Sequence, residues 1–482
     1  MTTKKIVPPS DSETETDARA RKARAEISHD DVRQLKGPLL VLGGTEGVGW
    51  DEFATVDVLD EERHGLVLEV DKDLAILQVF EGTDGLLPGG IRVRFAGQPL
   101  HIQVGINWLG RVCNGRGQPL DGGPPIIGNM TLPVHGWPLN PVHRDPPQQP
   151  VLTGISVIDC LTTLVRGQKL PIFSVAGLPH LALATQIAAQ ATSGEGSFSV
   201  VFAAMGLTHA DINYVRDRLE ERSAAGELVL LLNNADDPVI ERILTPRIAL
   251  TVAEELAYTE GRDVLVIMSD MTSYAEAVRE ISAARREIPA RRGYPGYLYS
   301  DLASLYERCG LVHGKSGSVT IVPVLTMPGG DITHPVPDLT GYITEGQIVL
   351  SPEVASHGIY PPVDALASLS RLMRSGVGKG RTREDHPDVA AQTLACLARA
   401  RAASELAELV GASALSEIDR SYIAYRGVVE EKLFNQGDDE LRTLEDTLNR
   451  AWAALGTLPR QELTMISTEF LDRYLPKPSS AL

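Results

Sequence analysis

The chain reads Pro171-Ile-Phe-Ser-Val-Ala-Gly-Leu-Pro-His-Leu-Ala-Leu-Ala184 where an apolar run passes through a short turn into an alanine- and leucine-rich segment. Further near-continuous apolar runs follow at 198–205, 228–233, 263–270 and 318–326. Amphipathic stretches of helical period separate these runs, among them 181–191 and 274–286. Strands that are buried on both faces and alternate with helices form a parallel sheet covered by helices. The sequence therefore predicts an α/β domain whose first core strand is Leu170–Val175.

The turn after this strand has the length of a phosphate-binding P-loop, G-x-x-x-x-G-K-S/T, but lacks its key residues. The replacements are Ser174 and Pro179 for the two glycines, His180 for the lysine, and Leu181 for the hydroxyl that binds Mg²⁺. In a working loop, backbone N–H groups, the lysine charge and that hydroxyl converge on the phosphates, and proline has no N–H. We predict a nucleotide-binding architecture whose own loop around Gly177 is silent and structural. A remnant site that binds a nucleotide weakly is the alternative.

A carboxylate follows the fourth core strand, at the position where the Mg²⁺-binding aspartate of such a domain belongs. Asp270 ends the run Val264-Leu-Val-Ile-Met-Ser-Asp270. Because the loop across from it offers neither a lysine nor a hydroxyl, little remains there to hold a metal ion. We expect Asp270 to bond the following turn instead, and we predict no metal site.

The totals describe an acidic chain of ordinary globular composition. Its 482 residues are enough for two or three domains, with 43% hydrophobic and 22% charged residues. The net charge of −18 argues against nucleic acid or an anionic membrane surface as the main partner. No apolar run approaches the roughly 20 residues that span a bilayer. The four cysteines are scattered, so their spacing predicts neither a zinc site nor a disulfide framework.

The pattern along the chain divides it into four parts. Residues 1–36 are polar and predict an N-terminal tail. Short apolar runs separated by Gly, Asp and Pro predict a β-barrel over 37–105. The α/β domain then covers 106–352, and helical patterns predict a bundle over 353–475. The predicted fold is an α/β P-loop (RecA-like) nucleotide domain between an N-terminal β-barrel and a C-terminal helical bundle.

This domain order resembles that of the head subunits of rotary ATPases, and four strings of sequence strengthen the likeness. They are Thr153-Gly-Ile-Ser-Val-Ile-Asp159, Gly293-Tyr-Pro-Gly-Tyr-Leu-Tyr-Ser-Asp-Leu302, Asp331-Ile-Thr-His-Pro-Val-Pro-Asp-Leu-Thr-Gly-Tyr-Ile-Thr-Glu-Gly-Gln347 and Pro361-Pro-Val-Asp-Ala-Leu-Ala-Ser-Leu-Ser370. The last string fits the family signature at every fixed position, and the loop Gly177-Leu-Pro-His180 is characteristic of one subunit type. Over 37–475 the chain resembles the non-catalytic, regulatory B subunits of V-type (archaeal/vacuolar-like) ATPases.

The resemblance implies a place in a larger machine. Such B subunits alternate with catalytic A subunits in a hexameric ring, where Mg-ATP or Mg-ADP binds at the interface on the A-subunit P-loop. The resemblance implies no cofactor of the chain's own, contacts with central-stalk and peripheral-stalk subunits, and an indirect link to the membrane rotor sector. The whole complex couples ATP hydrolysis or synthesis to hydrogen-ion or other ion transport, at the cytoplasmic face of a membrane.

The resemblance also implies roles for individual residues. Arg371, directly after Ser370, matches the arginine that reaches the nucleotide on the neighbouring A subunit, an arginine finger supplied in trans. Tyr342 is expected either near that shared interface or in ordinary packing. Leu207 stands near the place where catalytic relatives carry a glutamate, and an apolar side chain cannot activate the attacking water. The chain is therefore not expected to be catalytic alone.

Two other interpretations stay open. A self-sufficient P-loop motor, such as a Rho-like helicase or a secretion-system ATPase, would need an intact loop. An assembly factor that has kept the fold would have no need of an arginine at position 371. ATP hydrolysis by the purified chain would favour the first interpretation, and failure to bind A subunits would favour the second.

Overall fold

The computed structural model describes residues 27–58, 61–194 and 196–476. The described chain divides into two compact units, with the boundary between His101 and Ile102. The predicted polar tail lies outside the described residues as far as residue 26. No helix in the described ranges is both long and apolar enough to cross a membrane.

The first unit is an antiparallel sheet, as the β-barrel prediction requires. Its strands, β1 to β7 in chain order, are Ile27–His29, Val32–Lys36, Leu39–Gly43, Glu52–Val58, Glu61–Asp71, Leu74–Val79 and Ile91–Pro99. Their hydrogen-bonded order is β1-β7-β4-β5-β6-β3-β2. Alternate residues such as Val56 on β4 and Phe95 on β7 are buried, so one face of the sheet closes on an apolar core.

Two strands lie where the sequence predicts a tail, so the prediction of a tail over 1–36 is wrong for its last ten residues. The cause is composition, because β2 reads Val-Arg-Gln-Leu-Lys and offers only two apolar side chains. Strands β1 and β2 are the two ends of the hydrogen-bonded order, where a strand pairs on one side alone. The other end of the predicted barrel is also displaced, since the boundary falls at His101 rather than at residue 105.

The second unit is built on a sheet of mostly parallel strands. Its strands, β8 to β21, are His101–Val104, Val112–Asn114, Met130–Pro133, Arg144–Asp145, Pro150–Val151, Leu164–Val165, Ile172–Val175, Phe198–Leu207, Leu228–Asn234, Asp263–Ser269, Gly310–Val312, Ser318–Met327, Gly346–Val349 and Leu369–Ser370. The main sheet has the order β21-β20-β14-β19-β17-β15-β16-β9. From β20 to β9 the neighbours are parallel, whereas β21 is antiparallel to β20.

Helices cover this sheet and continue beyond it. They are, from α1 to α13, Ser156–Leu161, His180–Gln190, His209–Ala224, Val239–Tyr258, Met271–Ala284, Leu298–Tyr306, Pro335–Ile343, Pro352–Ser356, Met373–Gly376, His386–Val410, Glu417–Val429, Leu444–Leu455 and Thr468–Tyr474. Short 3₁₀ turns and one π-helical turn, Glu430–Phe434, connect them. The predicted pattern of strands alternating with helices, followed by helices alone, agrees with these elements.

Two details of the C-terminal part differ from the expectation. The sequence pattern predicts a helix over 438–455, but α12 begins only at Leu444, where the Thr443 hydroxyl caps it by accepting from Asp446 N–H. In addition, β21 lies inside 353–475, which is predicted to be helical. A strand of two residues is too short to show the alternating pattern by which a strand is recognised.

The core of the second unit is apolar and continuous. Every residue of β17 is buried, and the side chain of Ile267 at its centre is fully enclosed. In the helical part, Trp452 is buried and its indole N–H donates to the enclosed Asp385 carboxylate at 2.6 Å. The same cluster of buried side chains reaches from the sheet into these helices, which therefore share one core.

Shortening the buried side chain of Ile267 on β17 should lower the stability of the fold. Ile267→Ala is expected to lower the free energy of unfolding by about 2–5 kcal/mol, because the surroundings cannot close the cavity fully. Ile288→Ala is the matched control, since Ile288 is 91% exposed and lies in a loop, and its expected effect is within about 0.5 kcal/mol. Denaturant titration followed by circular dichroism measures both, and equal effects would contradict this description of the core.

Candidate functional site

Three core strands bring the expected nucleotide residues to one edge of the parallel sheet. In the register, Ser174 on β14 pairs with Thr326 on β19, and Val324 on β19 pairs with Ser269 on β17. The loop after β14 and Asp270 after β17 therefore both lie at the carboxyl edge, on either side of β19. Ligands of open α/β sheets bind at this edge, so the structure brings these predicted residues together.

Two main-chain N–H groups of the loop between β14 and α2 donate within the loop itself. Leu178 N–H donates to the Val175 carbonyl at 3.2 Å, and His180 N–H donates to the Leu178 carbonyl at 2.8 Å. The His180 ring Nδ1 also lies 3.0 Å from the Leu178 carbonyl. Pro179 has no N–H to give. A phosphate cradle needs several N–H groups that point outward together, and here two are turned into the loop and a third does not exist.

The side chains of the loop also make contacts within the chain. Ser174 is fully buried, and its hydroxyl donates to the Val175 carbonyl at 3.1 Å. Leu181 is half-buried and packs against the main core together with Leu178. Gly177 has φ of +90°, a conformation that glycine adopts without strain, so the loop still makes the tight turn. The arrangement closes the strand–helix connection with contacts from these three residues.

Asp270 accepts three hydrogen bonds from neighbouring residues. Its Oδ1 accepts from Thr272 N–H at 2.6 Å, which caps α5, and from Thr326 N–H at 3.3 Å. Its Oδ2 accepts from the Thr326 hydroxyl. This carboxylate therefore joins the end of β17 to β19 and to α5, as the expected bond to the following turn requires.

Leu207, at the expected glutamate position, lies at the end of a neighbouring strand of the same sheet. Leu207 ends β15 as a buried member of the main core, so it presents no carboxylate to a water molecule. Within the described ranges, no three His, Cys, Asp or Glu side chains lie close enough together to hold a metal ion.

Arg371 lies at the opposite edge of the sheet. Its N–H donates to the Glu345 carbonyl at 2.9 Å, and its guanidinium Nη1 donates to the Thr344 carbonyl at 3.0 Å. Glu345 directly precedes β20 and is level with Lys169 in the parallel register of β20 and β14. The loop begins after Val175, at the other end of β14. Six residues separate Lys169 from Val175, which corresponds to about 20 Å along an extended strand. The arginine and the loop of the same chain are therefore far apart.

The Arg371 side chain is exposed and unneutralised. Among the described residues, no carboxylate oxygen lies within ion-pair distance of its guanidinium. Ser370 beside it is buried, and its hydroxyl donates to the Thr163 carbonyl at 3.1 Å and accepts from Gln168 Nε2 at 2.9 Å. Ser370 thus anchors the segment, and Arg371 projects from it.

Tyr342 lies on α7, two residues before Thr344, and its side chain is 77% exposed. Arg371, which donates to the Thr344 carbonyl, is also exposed. Tyr342 and Arg371 therefore both lie close to Thr344, Tyr342 along the chain and Arg371 through its hydrogen bond, and both are open to solvent.

A buried ion-pair network behind Arg371 was not predicted from the sequence. Lys169 is 3% exposed, and its ammonium lies 2.7 Å from Glu345 Oε1 and 3.2 Å from Glu307 Oε1. Burial alone would lower the pKa of Lys169, but the facing Cys309, Glu345 and Glu307 outweigh burial and raise it. The signal that could have revealed this network is a lysine directly before the apolar run at Leu170, because a buried lysine needs a partner.

The pKa of the neighbouring Glu307 carboxyl group shifts in the opposite direction, downward. Burial alone would raise the pKa of Glu307, but Lys169 and Arg144 hold it below its usual range. A raised lysine pKa stabilises the fold below the ordinary lysine pKa, and a lowered glutamate pKa stabilises it above the ordinary glutamate pKa. Lys169 and Glu307 therefore stay charged throughout the neutral range.

Comparison with known proteins agrees with this architecture. Residues 32–97 match the ATP synthase alpha/beta family, beta-barrel domain, residues 154–370 match its nucleotide-binding domain, and residues 375–475 match the C-terminal domain of V and A type ATP synthase. The chain is also similar to a solved structure described as a unique ATP synthase subunit, NeqB, from Nanoarcheaum equitans. The sequence identity is 37% and the TM-score 0.69, with 88% of this chain and 100% of that chain covered.

A barrel, a nucleotide-binding α/β domain and a helical domain in this order define a subunit of an ATP synthase. The chain belongs to the ATP synthase alpha/beta family, with a C-terminal domain of the V and A type. The predicted fold class is thereby confirmed. The nucleotide-binding match extends to residue 370, so β21 belongs with the α/β domain and not with the helical domain, as the sheet order also shows.

Removal of the Asp270 carboxylate should affect folding rather than metal binding. Asp270→Ala is expected to lower the free energy of unfolding by about 0.5–2 kcal/mol, because α5 loses its cap. Asp270→Asn keeps an acceptor for Thr272 N–H and is expected to retain most of that stability. Denaturant titration measures both variants. An Ala variant of unchanged stability that loses Mg²⁺-dependent nucleotide binding would contradict the structural role.

The loop should not bind nucleotide on its own. Titration of the isolated chain with Mg-ATP in a calorimeter is expected to give no affinity tighter than about 1 mM, because two loop N–H groups are used internally, Pro179 has none, and the P-loop lysine and hydroxyl are replaced by His180 and Leu181. A catalytic family member with an intact loop, titrated in the same way, serves as the positive control. Micromolar binding by the isolated chain would contradict the silent loop and revive the self-sufficient motor.

Proposed function

We propose that the chain is the non-catalytic, regulatory B subunit of a V-type ATPase or ATP synthase head. In this proposal it alternates with catalytic A subunits in a hexamer, and Arg371 completes the ATP site of the neighbouring A subunit. One observation carries the proposal: an exposed arginine without a carboxylate partner among the described residues lies about six strand residues, or roughly 20 Å, from the loop of its own chain. Such an arginine is placed to serve a nucleotide on another subunit.

The chemistry of the guanidinium supports this role. Phosphoryl transfer spreads negative charge over the γ-phosphoryl oxygens, and a planar, permanently charged guanidinium can bind two of them at once. Arg371 already holds a fixed position, since its N–H and one guanidinium nitrogen donate to main-chain carbonyls. A group fixed before the reaction need not be ordered during it, and this favours stabilisation of the transition state.

The carboxyl edge supports the non-catalytic part of the proposal. The loop of this chain is closed by its own bonds and Asp270 is occupied by Thr326 and Thr272. Mg-ATP or Mg-ADP would therefore be bound by the A subunit at the shared interface, with no cofactor held by this chain alone. The assembled complex would meet central-stalk and peripheral-stalk subunits and lie peripherally at the cytoplasmic face of a membrane, coupling ATP turnover to ion transport.

Tyr342 is a further interface residue in this proposal. Its exposed ring flanks the segment that positions Arg371, so it would pack against the A subunit beside the nucleotide. An aromatic ring that is open to solvent in the isolated chain is typical of a surface that another subunit covers.

The decisive substitution removes the guanidinium. In the reconstituted complex with the catalytic A subunit, Arg371→Ala is expected to lower ATP turnover by roughly 10³- to 10⁵-fold, because charge on the transferring phosphoryl group loses its partner. Steady-state ATPase assays measure turnover, and size-exclusion chromatography confirms that the complex still assembles. The wild-type chain alone is expected to show negligible hydrolysis.

The matched control is Arg420→Ala. Arg420 is likewise exposed, and its guanidinium Nη2 donates to the Ser413 carbonyl at 3.2 Å, but it lies in the helical part on α11. Its removal is expected to leave turnover unchanged. Undiminished turnover after Arg371→Ala would reject the arginine-finger role, and failure of the wild-type chain to bind A subunits would favour an assembly factor instead.

A further inference from the structure

An acidic residue lies opposite Arg371 in the strand register. Gly346 on β20 pairs with Ser370 on β21, and Arg371 N–H donates to the Glu345 carbonyl at 2.9 Å, so Glu345 and Arg371 are the next opposed residues. Opposed side chains of antiparallel strands have Cβ atoms about 4.5–5.5 Å apart, and opposite charges there attract. A carboxylate bound to Arg371 would compete with a phosphate for the same donors.

In the structure, however, the Glu345 carboxylate is directed at Lys169. Its Oε1 lies 2.7 Å from the Lys169 ammonium, and its Oε2 accepts from Lys169 N–H at 2.8 Å. The Lys169 side chain is 4% exposed, so its charge must be paired where it is. Gln168 Nε2 also donates to the Glu345 carbonyl at 3.2 Å, which fixes the main chain that receives Arg371.

We propose that Lys169 is a positioning residue for the Arg371 finger. By holding the Glu345 carboxylate, Lys169 keeps it from the guanidinium and leaves that guanidinium free for the anionic phosphates of a nucleotide on the neighbouring subunit. This inference rests on the proposed function, since it assigns a residue that keeps the arginine available.

Glu307, the other carboxylate that faces Lys169, is expected to stay paired when the Lys169 charge is removed. Glu307 has a second cation, because Arg144 Nη2 lies 2.6 Å from its Oε2. Loss of the Lys169 charge would leave Glu307 paired with Arg144. Glu345 would be left without a cation, and the nearest one that the strand register offers is Arg371. The network therefore predicts which carboxylate is released.

The test uses the reconstituted complex with the catalytic A subunit. Lys169→Met is expected to lower kcat for ATP by about ten-fold or more with KM little changed, because the finger acts on the transition state more than on ATP binding. Adding Glu345→Gln to Lys169→Met is expected to restore kcat to near the wild-type value. A neutral amide can still accept from the residue-169 N–H, but it cannot neutralise Arg371.

Three controls separate this effect from a loss of stability. Glu307→Gln removes the other carboxylate that faces Lys169 and is expected to leave kcat unchanged. Glu345→Gln alone is also expected to remain active. Thermal unfolding and size-exclusion chromatography establish that each variant folds and assembles. If Lys169→Met does not assemble, Lys169→Gln, which keeps a donor in the same space without the charge, takes its place with the same expected outcome.

The outcomes distinguish this inference from the function on which it rests. Unchanged turnover after Arg371→Ala would reject the finger itself. If Arg371→Ala abolishes turnover but the variant at Lys169 retains the wild-type kcat, only the positioning role fails. A variant at Lys169 that is slow and is not restored by Glu345→Gln would likewise overturn it, because the damage would then not pass through Glu345.

Discussion

The parallel pairing of β14 with β20 is the constraint on which the arrangement of the candidate site depends. Because the two strands run in the same direction, residues that precede them share one edge of the sheet and residues that follow them share the other. Lys169 and Glu345 therefore meet at the amino edge, where β21 adds Arg371, whereas the loop after β14 lies at the carboxyl edge. An arginine side chain cannot bridge that separation, so in the proposed function the nucleotide that Arg371 serves would be held by another subunit.

Much of this could be predicted from the sequence, because the core strands are long apolar runs and the loop replacements are visible residue by residue. The elements that escaped prediction are short or polar. Strand β2 has two apolar residues and β21 has only two residues in all, so neither shows a period. The pairing of Lys169 with Glu345 joins positions far apart in the chain, and no local pattern indicates which distant carboxylate a lysine will meet. The role of Arg371 came from resemblance, since its exposure depends on where its neighbours point.

Polar groups at the two edges of the sheet differ in how they are hydrogen-bonded and paired. At the carboxyl edge, donors and acceptors satisfy one another within the chain, as Leu178 and His180 do with the loop carbonyls. At the amino edge, the carboxylates are neutralised inward and one guanidinium keeps donors directed at solvent. A satisfied polar group stabilises the fold, and an unsatisfied exposed one remains ready for a ligand. This difference in hydrogen bonding is what the proposed function uses, since it assigns a structural role to the carboxyl edge and recognition of another subunit to the amino edge.

The bonds of Asp270 have a consequence for any attempt to convert this subunit into an active motor. Placing a lysine at position 180 and a hydroxyl-bearing residue at position 181 would restore two residues of the P-loop pattern. The Asp270 carboxylate across from the loop would still accept hydrogen bonds from Thr272 and Thr326. That carboxylate has about four acceptor sites and three of them are used here, so a metal ion bound to it directly would compete with the cap of α5 and with the link to β19. A repaired loop that draws on Asp270 for a metal ion is therefore expected to weaken contacts that stabilise the scaffold.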